Sequence, residues 1–334
     1  MRRARVAVAA ALAVLLAVPL AASSAPALPR RIVGAGSPAV TTAAEIERLK
    51  AAGVDTITVD VWWEVDSFVT PTVRPGARTT SDTDLLTVAA AARAAGIRVL
   101  LTPKIWCPAC ARSTWRGHID PAQPAAFFES YRRMSNHYAE LATAAGFWGY
   151  YFGSEMDRTE DSVTEWRRVA REARQRFSGP VLYEASWDNA FQVRFWDAST
   201  FVSVSAYYPL IKAADPSVET LMRCWNSSCT PEYRGRRWVS ELRALARRTG
   251  KKVLFGEAGY HSTEYATWRP YMREKGAAVS QRAQANAYRA LVRTFRAEPW
   301  FLGVIWWEWN PAVDATTDPF YSPRGKTAES LMRL

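Results

Sequence analysis

Short apolar segments alternate along the chain with longer segments in which apolar residues recur at helical spacing. The short segments lack strict alternation of apolar and polar residues, which is typical of parallel strands buried on both faces. The longer segments place their apolar residues on one stripe, as in a helix that packs against a sheet. Glycine often separates the two, as at Gly96, Gly146 and Gly250, because it readily ends a helix in the left-handed conformation. The pattern predicts repeated helix–strand units.

Eight of the short segments are predicted to be strands. They lie near Ile32 and at residues 56–61, 98–101, 147–152, 181–185, 201–206, 253–255 and 302–307. Helical patterns fill most of the gaps between them, for example from Val163 to Phe177. Alternating strands and helices in this number predict the α/β class, and specifically a single (β/α)8 TIM barrel.

Four longer connections follow predicted strands, at residues 66–80, 107–123, 212–237 and 261–280. In such a barrel these connections rise at the C-terminal ends of the strands, which form the active face. The sequence shows neither a linker nor a low-complexity segment, so we expect one domain over residues 28–334.

The first 27 residues have the layout of a secretory signal peptide. Arginines at positions 2, 3 and 5 precede an apolar run over residues 6–20, and small residues at 20–22 or 25–27 are cleavage candidates. A membrane anchor is the alternative, but the run is shorter than the roughly 20 apolar residues that a spanning helix needs. We therefore expect a secreted, extracellular protein with no membrane attachment after cleavage.

The formal net charge is +11, which raises the question of nucleic-acid binding. The basic residues are scattered over helical surfaces, as at Arg167, Arg168 and Arg171, and form no stripe. We therefore expect a cationic surface without a nucleic-acid partner, on a monomeric protein.

Four cysteines form two local pairs in the sequence, Cys107 with Cys110 and Cys224 with Cys229. Secretion favours disulfides, and the simplest pairing closes one loop with each pair. A zinc site and redox catalysis at the first pair are the alternatives, since two intervening residues are also a zinc-ligand spacing. The second pair has a different spacing, which favours disulfides.

Two glutamates follow apolar, aromatic-rich segments that are predicted to be strands. Glu155 ends the run from Phe147, and Glu257 ends the run from Val253. A salt bridge would explain one such residue, but two from different strands would meet at the active face of a barrel. Hydrolysis of a glycosidic bond needs this pair, because one carboxyl group protonates the leaving oxygen while the other attacks or activates water.

The chain has 15 tryptophans, several of them at predicted strand ends. Indole faces stack on the apolar faces of sugar rings, although core packing is the alternative for each. The candidate substrate-binding residues are Trp63, Trp187, Tyr207, Trp307 and Trp309. Strand alternation places Trp307 and Trp309 on one face and Trp306 on the other.

Metal and cofactor chemistry find little support in the sequence. The chain has only three histidines and no His-Glu-x-x-His motif, phosphate-binding loop or nucleophilic serine motif. We expect neither a metal nor a cofactor.

Eight motifs follow one another along the chain. They are Gly53-Val54-Asp55-Thr56, Trp115-Arg116-Gly117, Phe152-Gly153-Ser154-Glu155, Phe195-Trp196-Asp197, Ser205-Ala206-Tyr207-Tyr208-Pro209-Leu210, Val253-Leu254-Phe255-Gly256-Glu257-Ala258-Gly259-Tyr260, Gly303-Val304-Ile305-Trp306-Trp307-Glu308-Trp309 and Tyr321-Ser322-Pro323-Arg324-Gly325-Lys326. In this order they resemble glycoside hydrolase family 113, a β-mannanase family in a large clan of retaining (β/α)8 glycosidases.

The resemblance implies that Glu155 is the acid/base and Glu257 the nucleophile. It also implies that Tyr207 lies beside the nucleophile and that Trp307 supports the sugar that is cleaved. Many members of the clan carry asparagine before the acid/base, whereas this chain has Ser154, which weakens any inference about the preferred sugar epimer.

The expected protein is thus a secreted endo-β-1,4-mannanase that retains anomeric configuration, with a polysaccharide or oligosaccharide as its partner. Retention predicts carboxyl groups about 5–5.5 Å apart. The alternatives are the same machinery acting on glucan, xylan or a cell-wall polymer, a carbohydrate-binding barrel without catalysis, and a metal-dependent barrel hydrolase.

Overall fold

The computed structural model describes residues 32–37, 42–110 and 115–334. The predicted signal peptide lies outside these residues, and the predicted domain boundary at residue 28 remains a prediction. Within the described part of the chain, no helix is both long enough and apolar enough to cross a membrane.

Eight parallel strands form a closed barrel in the described residues, with neighbours in chain order. Closure occurs where the first strand pairs with both the second and the last, for example at Gly34 with Thr56 and at Ile32 with Gly303. The prediction of a single (β/α)8 barrel is confirmed. The strands are β1 (Ile32–Ser37), β2 (Thr56–Glu64), β3 (Arg98–Trp106), β4 (Gly149–Ser154), β5 (Val181–Ser186), β6 (Val202–Ser205), β7 (Val253–Ala258) and β8 (Phe301–Trp306).

Helices lie between most of the strands and pack their apolar stripes on the barrel. Some begin at a capping residue such as Ser81, whose hydroxyl accepts a hydrogen bond from the backbone N–H of Asp84. Several end at a glycine in the left-handed conformation, including Gly96 and Gly146. The helices are α1 (Ala43–Ala51), α2 (Asp82–Ala95), α3 (Pro124–Ala145), α4 (Val163–Arg176), α5 (Val218–Asn226), α6 (Trp238–Thr249) and α7 (Gln281–Phe295).

Strands β2 and β3 are longer than predicted, and they pair in register from Thr56 with Arg98 to Glu64 with Trp106. The predicted strands end at Val61 and Leu101, and the second of these is followed by Thr102 and Pro103, which interrupt its apolar pattern. Helix α5 is also an addition, since the connection over residues 212–237 was predicted without one.

The barrel interior has an apolar floor and a polar upper layer. The floor is filled by a separate cluster of buried side chains near the strand starts: Ile32, Leu100, Tyr151, Leu182, Phe201, Leu254, Leu302 and Ile305. Buried polar residues, including Asp60, Lys104, Glu184 and Glu257, lie further along their strands. The polar layer therefore faces the C-terminal mouth of the barrel, where the site lies.

Two disulfides close the loops that the sequence indicated. Cys107 is bonded to Cys110 directly after β3, and Cys224 in α5 is bonded to Cys229.

Candidate active site

A break in strand register precedes each of the two candidate glutamates. The pairing of β4 with β5 shifts between Tyr151 and Gly153, and that of β7 with β6 shifts so that Ser205 faces Glu257. Bulges of this kind re-aim side chains and are frequent beside active sites. A side chain at Gly256 would overlap the carboxyl group of Glu184, so glycine is required for this close packing.

Glu155 follows β4 in an unusual backbone conformation. Its φ is +50°, in the left-handed region that non-glycine residues rarely occupy, and its amide donates to the Glu184 carbonyl oxygen at 2.7 Å. Such strain costs on the order of 1–3 kcal/mol and is concentrated at functional sites. It points the carboxyl group into the mouth of the barrel.

The carboxyl group of Glu155 is buried against cationic and polar donors. Its Oε2 accepts hydrogen bonds from Arg116 Nη2 at 2.6 Å and from Trp115 Nε1 at 3.0 Å. Burial alone would raise the pKa of Glu155, but Arg116, with Trp115 and Lys104, outweighs burial and lowers the pKa. Arg116 therefore favours the carboxylate form of Glu155.

Glu257 lies within β7, and each of its carboxyl oxygens has its own donor. Lys104 Nζ forms an ion pair with Oε1, and Tyr207 Oη donates to Oε2 at 3.0 Å. Burial is the main cause that raises the pKa of Glu257; Lys104 opposes it, and the charge of Glu155 adds to it. Because Glu155 contributes to this shift, the two carboxyl groups share one electrostatic environment.

A third carboxyl group, that of Glu184, lies in the same layer, and its contacts among the described residues include no cation. Ser154 Oγ donates to its Oε2 at 2.9 Å, and both side chains are almost fully buried. Burial and the charge of Glu257 raise the pKa of Glu184 well above its ordinary value. The hydroxyl of Ser154 thus donates its hydrogen bond to a buried side chain of the protein.

Two tryptophans border the charged layer. The ring centroid of Trp307 lies 4.4 Å from Lys104 Nζ, and that of Trp62 lies 5.7 Å from the same atom. Trp307 is only partly buried, so part of its ring is accessible at the mouth of the barrel.

Trp63 and Trp309 do not join this group. Trp63 Nε1 donates to Tyr138 Oη of α3 at 2.8 Å, which places its indole on the outer side of the barrel. Trp309 is fully buried and donates to Glu45 of α1 at 2.9 Å. The alternation that grouped Trp309 with Trp307 fails because β8 ends at Trp306.

Trp187 belongs to a separate aromatic cluster above β5. It is 8% exposed, makes edge contacts with Tyr208, Tyr233 and Trp238, and stacks on the partly exposed Tyr271. Most of its ring therefore packs against protein.

Sequence reasoning did not single out Asp60, Lys104, Arg116 or Glu184 as site residues. The available signal was a charged residue in or just beyond a predicted strand: Glu184 lies within 181–185, and Lys104 lies three residues after 98–101. Among the described residues, no group of His, Cys, Asp and Glu side chains has an arrangement that could hold a metal ion.

Comparisons with known proteins agree with this geometry. The family model described as Glycoside Hydrolase Family 113 matches residues 37–326, which confirms the resemblance seen in the motifs. A solved family 113 β-mannanase from Alicyclobacillus acidocaldarius, in complex with ManMIm, is similar at 28% identity and a TM-score of 0.76, covering 90% of this chain and 96% of that one.

Two further solved structures share the fold at lower sequence identity. A complex of a family 113 β-1,4-mannanase is 24% identical with a TM-score of 0.78, covering 91% of this chain and 98% of that one. A β-glucuronidase from Ruminococcus gnavus shares the fold at 10% identity and a TM-score of 0.59, covering 91% of this chain and 49% of that one. Comparison with curated protein sequences gives no match.

Proposed function

Because the chain belongs to Glycoside Hydrolase Family 113 and is a glycoside hydrolase, we propose that it is a secreted endo-β-1,4-mannanase that retains anomeric configuration. The observation that carries this proposal is the pair Glu155 and Glu257, two buried carboxyl groups from β4 and β7 that share one electrostatic environment. The mannanases of similar structure support mannan as the substrate.

In the first step, Glu155 donates a proton to the glycosidic oxygen while that oxygen's bond to the anomeric carbon breaks. An oxygen of Glu257 forms the new bond to the same carbon, which gives a glycosyl-enzyme. In the second step, Glu155 removes a proton from water, and the water oxygen displaces Glu257. The sugar keeps its configuration because two inversions occur at one carbon.

The first step needs Glu155 protonated, whereas the Arg116 contact favours its charged form. We infer that a sugar in the leaving-group position separates Arg116 from Glu155 as it binds. Loss of that ion pair inside a buried site would raise the pKa of Glu155 toward the range of a proton donor.

Other β-glycans are the alternative substrates. Ser154, in the position where many clan members carry a sugar-binding asparagine, donates to Glu184 instead. Selection of the sugar epimer must then depend on other contacts, and the fold and the catalytic pair do not distinguish manno from gluco substrates.

A panel of purified polysaccharides with reducing-sugar detection and product sizing tests the proposal. We expect release of short oligosaccharides from β-1,4-mannan, and the Glu257→Ala variant should bind mannan without cleaving it. Greater activity on glucan or xylan would reassign the substrate.

Two other outcomes of the panel would overturn the assignment more deeply. Binding without product from any polysaccharide would indicate a carbohydrate-binding barrel. Loss of activity with EDTA would indicate metal-dependent hydrolysis.

A further inference from the structure

Lys104 is a buried lysine on the inner side of β3, where its side chain is 2% exposed. Its Nζ lies 2.9 Å from Asp60 Oδ2 on β2 and pairs with Glu257 Oε1 on β7. We propose that Lys104 is the positioning residue for Glu257, whose carboxylate it fixes and whose negative charge it stabilises inside the barrel. This inference rests on the proposed role of Glu257 as nucleophile.

Geometry supports a positioning role, because separate donors hold the two oxygens of Glu257. Tyr207 holds Oε2 and Lys104 holds Oε1, so rotation of the carboxyl group would break one of the two contacts. The faces of Trp307 and Trp62 lie 4.4 and 5.7 Å from Lys104 Nζ and confine the ammonium group from two further directions.

Charge balance explains why Asp60 is present. In the resting site, Asp60 and Glu257 together carry one more negative charge than Lys104 neutralises, which favours an oxocarbenium-like transition state nearby. When Glu257 becomes an ester, its charge disappears, and Asp60 alone then balances Lys104. Without Asp60, the glycosyl-enzyme would contain a buried and unpaired cation, which is costly.

Other ionisable groups also act on Glu257 from the surrounding elements. They are Asp60 on β2, Lys104 on β3, Arg116 after β3, Tyr151 on β4, Glu155 after β4, Glu184 on β5, Tyr207 after β6, and Glu308 and Tyr321 after β8. Of these, only Lys104 and Arg116 are cations, and Arg116 contacts Glu155 rather than Glu257. Lys104 is therefore the cation whose removal acts most directly on the nucleophile.

The test compares, in the full-length enzyme and three variants, the pH dependence of the pre-steady-state glycosylation rate constant at saturating substrate. Because bound substrate is inferred to raise the pKa of Glu155, the acidic limb in the complex reports Glu257. Lys104→Met should move this limb to higher pH by about one unit or more, with about a tenfold loss of the rate constant at pH values on the limb. Asp60→Asn should move the same limb to lower pH, because it removes a neighbouring negative charge. Lys104→Arg should restore part of the displaced limb.

Opposite shifts distinguish this proposal from a purely structural ion pair between β2 and β3. Loss of such a pair would reduce stability in both variants without moving the acidic limb. An unmoved limb in folded Lys104→Met, or a shift in the same direction for both variants, overturns the proposal. Where Lys104→Met does not fold, the direction of the Asp60→Asn shift decides it.

A readout without substrate separates this inference from the proposed function. Titration of carboxyl-labelled glutamate by NMR, with Glu257 assigned through Glu257→Gln, should show the same opposite shifts. These shifts would support the role of Lys104 even if every polysaccharide failed as a substrate, a result that would overturn the proposed function alone.

Discussion

Two pairs of carboxyl groups, each with a member just after β4, differ in their partners. Glu155 and Glu257 contact the cations Arg116 and Lys104. Close in sequence, Glu160 accepts hydrogen bonds from Tyr183 and Asn189, and Asp157 accepts one from Ser186 at 2.8 Å. The described contacts of this second pair include no cation.

The difference in partners appears in the pKa values. Burial, reinforced by the charge of Asp157, raises the pKa of Glu160 to about 8. Burial also raises the pKa of Asp157 to about 7. Glu155, which is buried to a similar extent, instead has a lowered pKa because of Arg116. Hydroxyl and amide donors offset burial only in part, whereas a cation in contact can reverse it.

The largest expected effect is on kcat and comes from replacing Glu155, the carboxyl group paired with Arg116. Glu155→Ala should reduce kcat on mannan by about 10²–10⁴-fold, because a general acid contributes on this scale. An aryl β-mannoside with an acidic leaving group needs no protonation, so its glycosylation step should be nearly normal. Pre-steady-state kinetics on both substrates measures the difference, and equal losses on both would contradict the role of Glu155.

The second effect concerns the free energy of unfolding and is expected at Glu160, whose described contacts include no cation. The folded-state pKa of Glu160 is about 8, above its ordinary 4.5, so its contribution to stability is fully present below pH 4.5 and is lost as the pH rises through 8. Glu160→Gln should remove this loss, which is on the order of 5 kcal/mol in the free energy of unfolding.

Urea unfolding at about pH 5 and pH 8.5 tests this expectation. The variant should gain stability relative to the wild-type protein mainly at the higher pH. A relative gain that is the same at both pH values would mean that Glu160 does not titrate as described.

A smaller effect is expected from removing the cation beside Glu155. Arg116→Gln should raise the pKa of Glu155 in the free enzyme, because burial then acts unopposed by the guanidinium. At pH values on the basic limb, kcat/KM should therefore rise by about tenfold for a one-unit rise in this pKa. Arg116→Lys is the matched control and should keep kcat/KM on that limb closer to the wild-type value.

The smallest effect is expected at Glu184, whose contacts among the described residues include no cation. Its raised pKa favours the neutral form, and Glu184→Gln puts a neutral group of similar shape in its place. We expect less than about a threefold change in kcat, which corresponds to under 0.7 kcal/mol. A large loss would show that Glu184 acts as a charged group.

The barrel and the two glutamates were predictable because parallel strands and strand-end acids leave local patterns. The partners of the glutamates were less predictable, because Lys104 meets Glu257 only after the barrel closes, across 153 positions of sequence. Side-chain direction was predicted poorly at Trp63 and Trp309, the first turned outward from β2 and the second beyond the end of β8. Alternation determines direction only within a strand and does not say which face is the inner one.

Trapping of the glycosyl-enzyme tests most directly whether Glu257 is the nucleophile. The protein would be incubated with an activated 2-deoxy-2-fluoro-β-mannoside, digested, and analysed by peptide mass spectrometry. If Glu257 is the nucleophile, we expect one added fluoromannosyl group on Glu257 and none in the Glu257→Gln variant. A label on any other residue, or β-mannan hydrolysis that inverts the anomeric configuration, would contradict it.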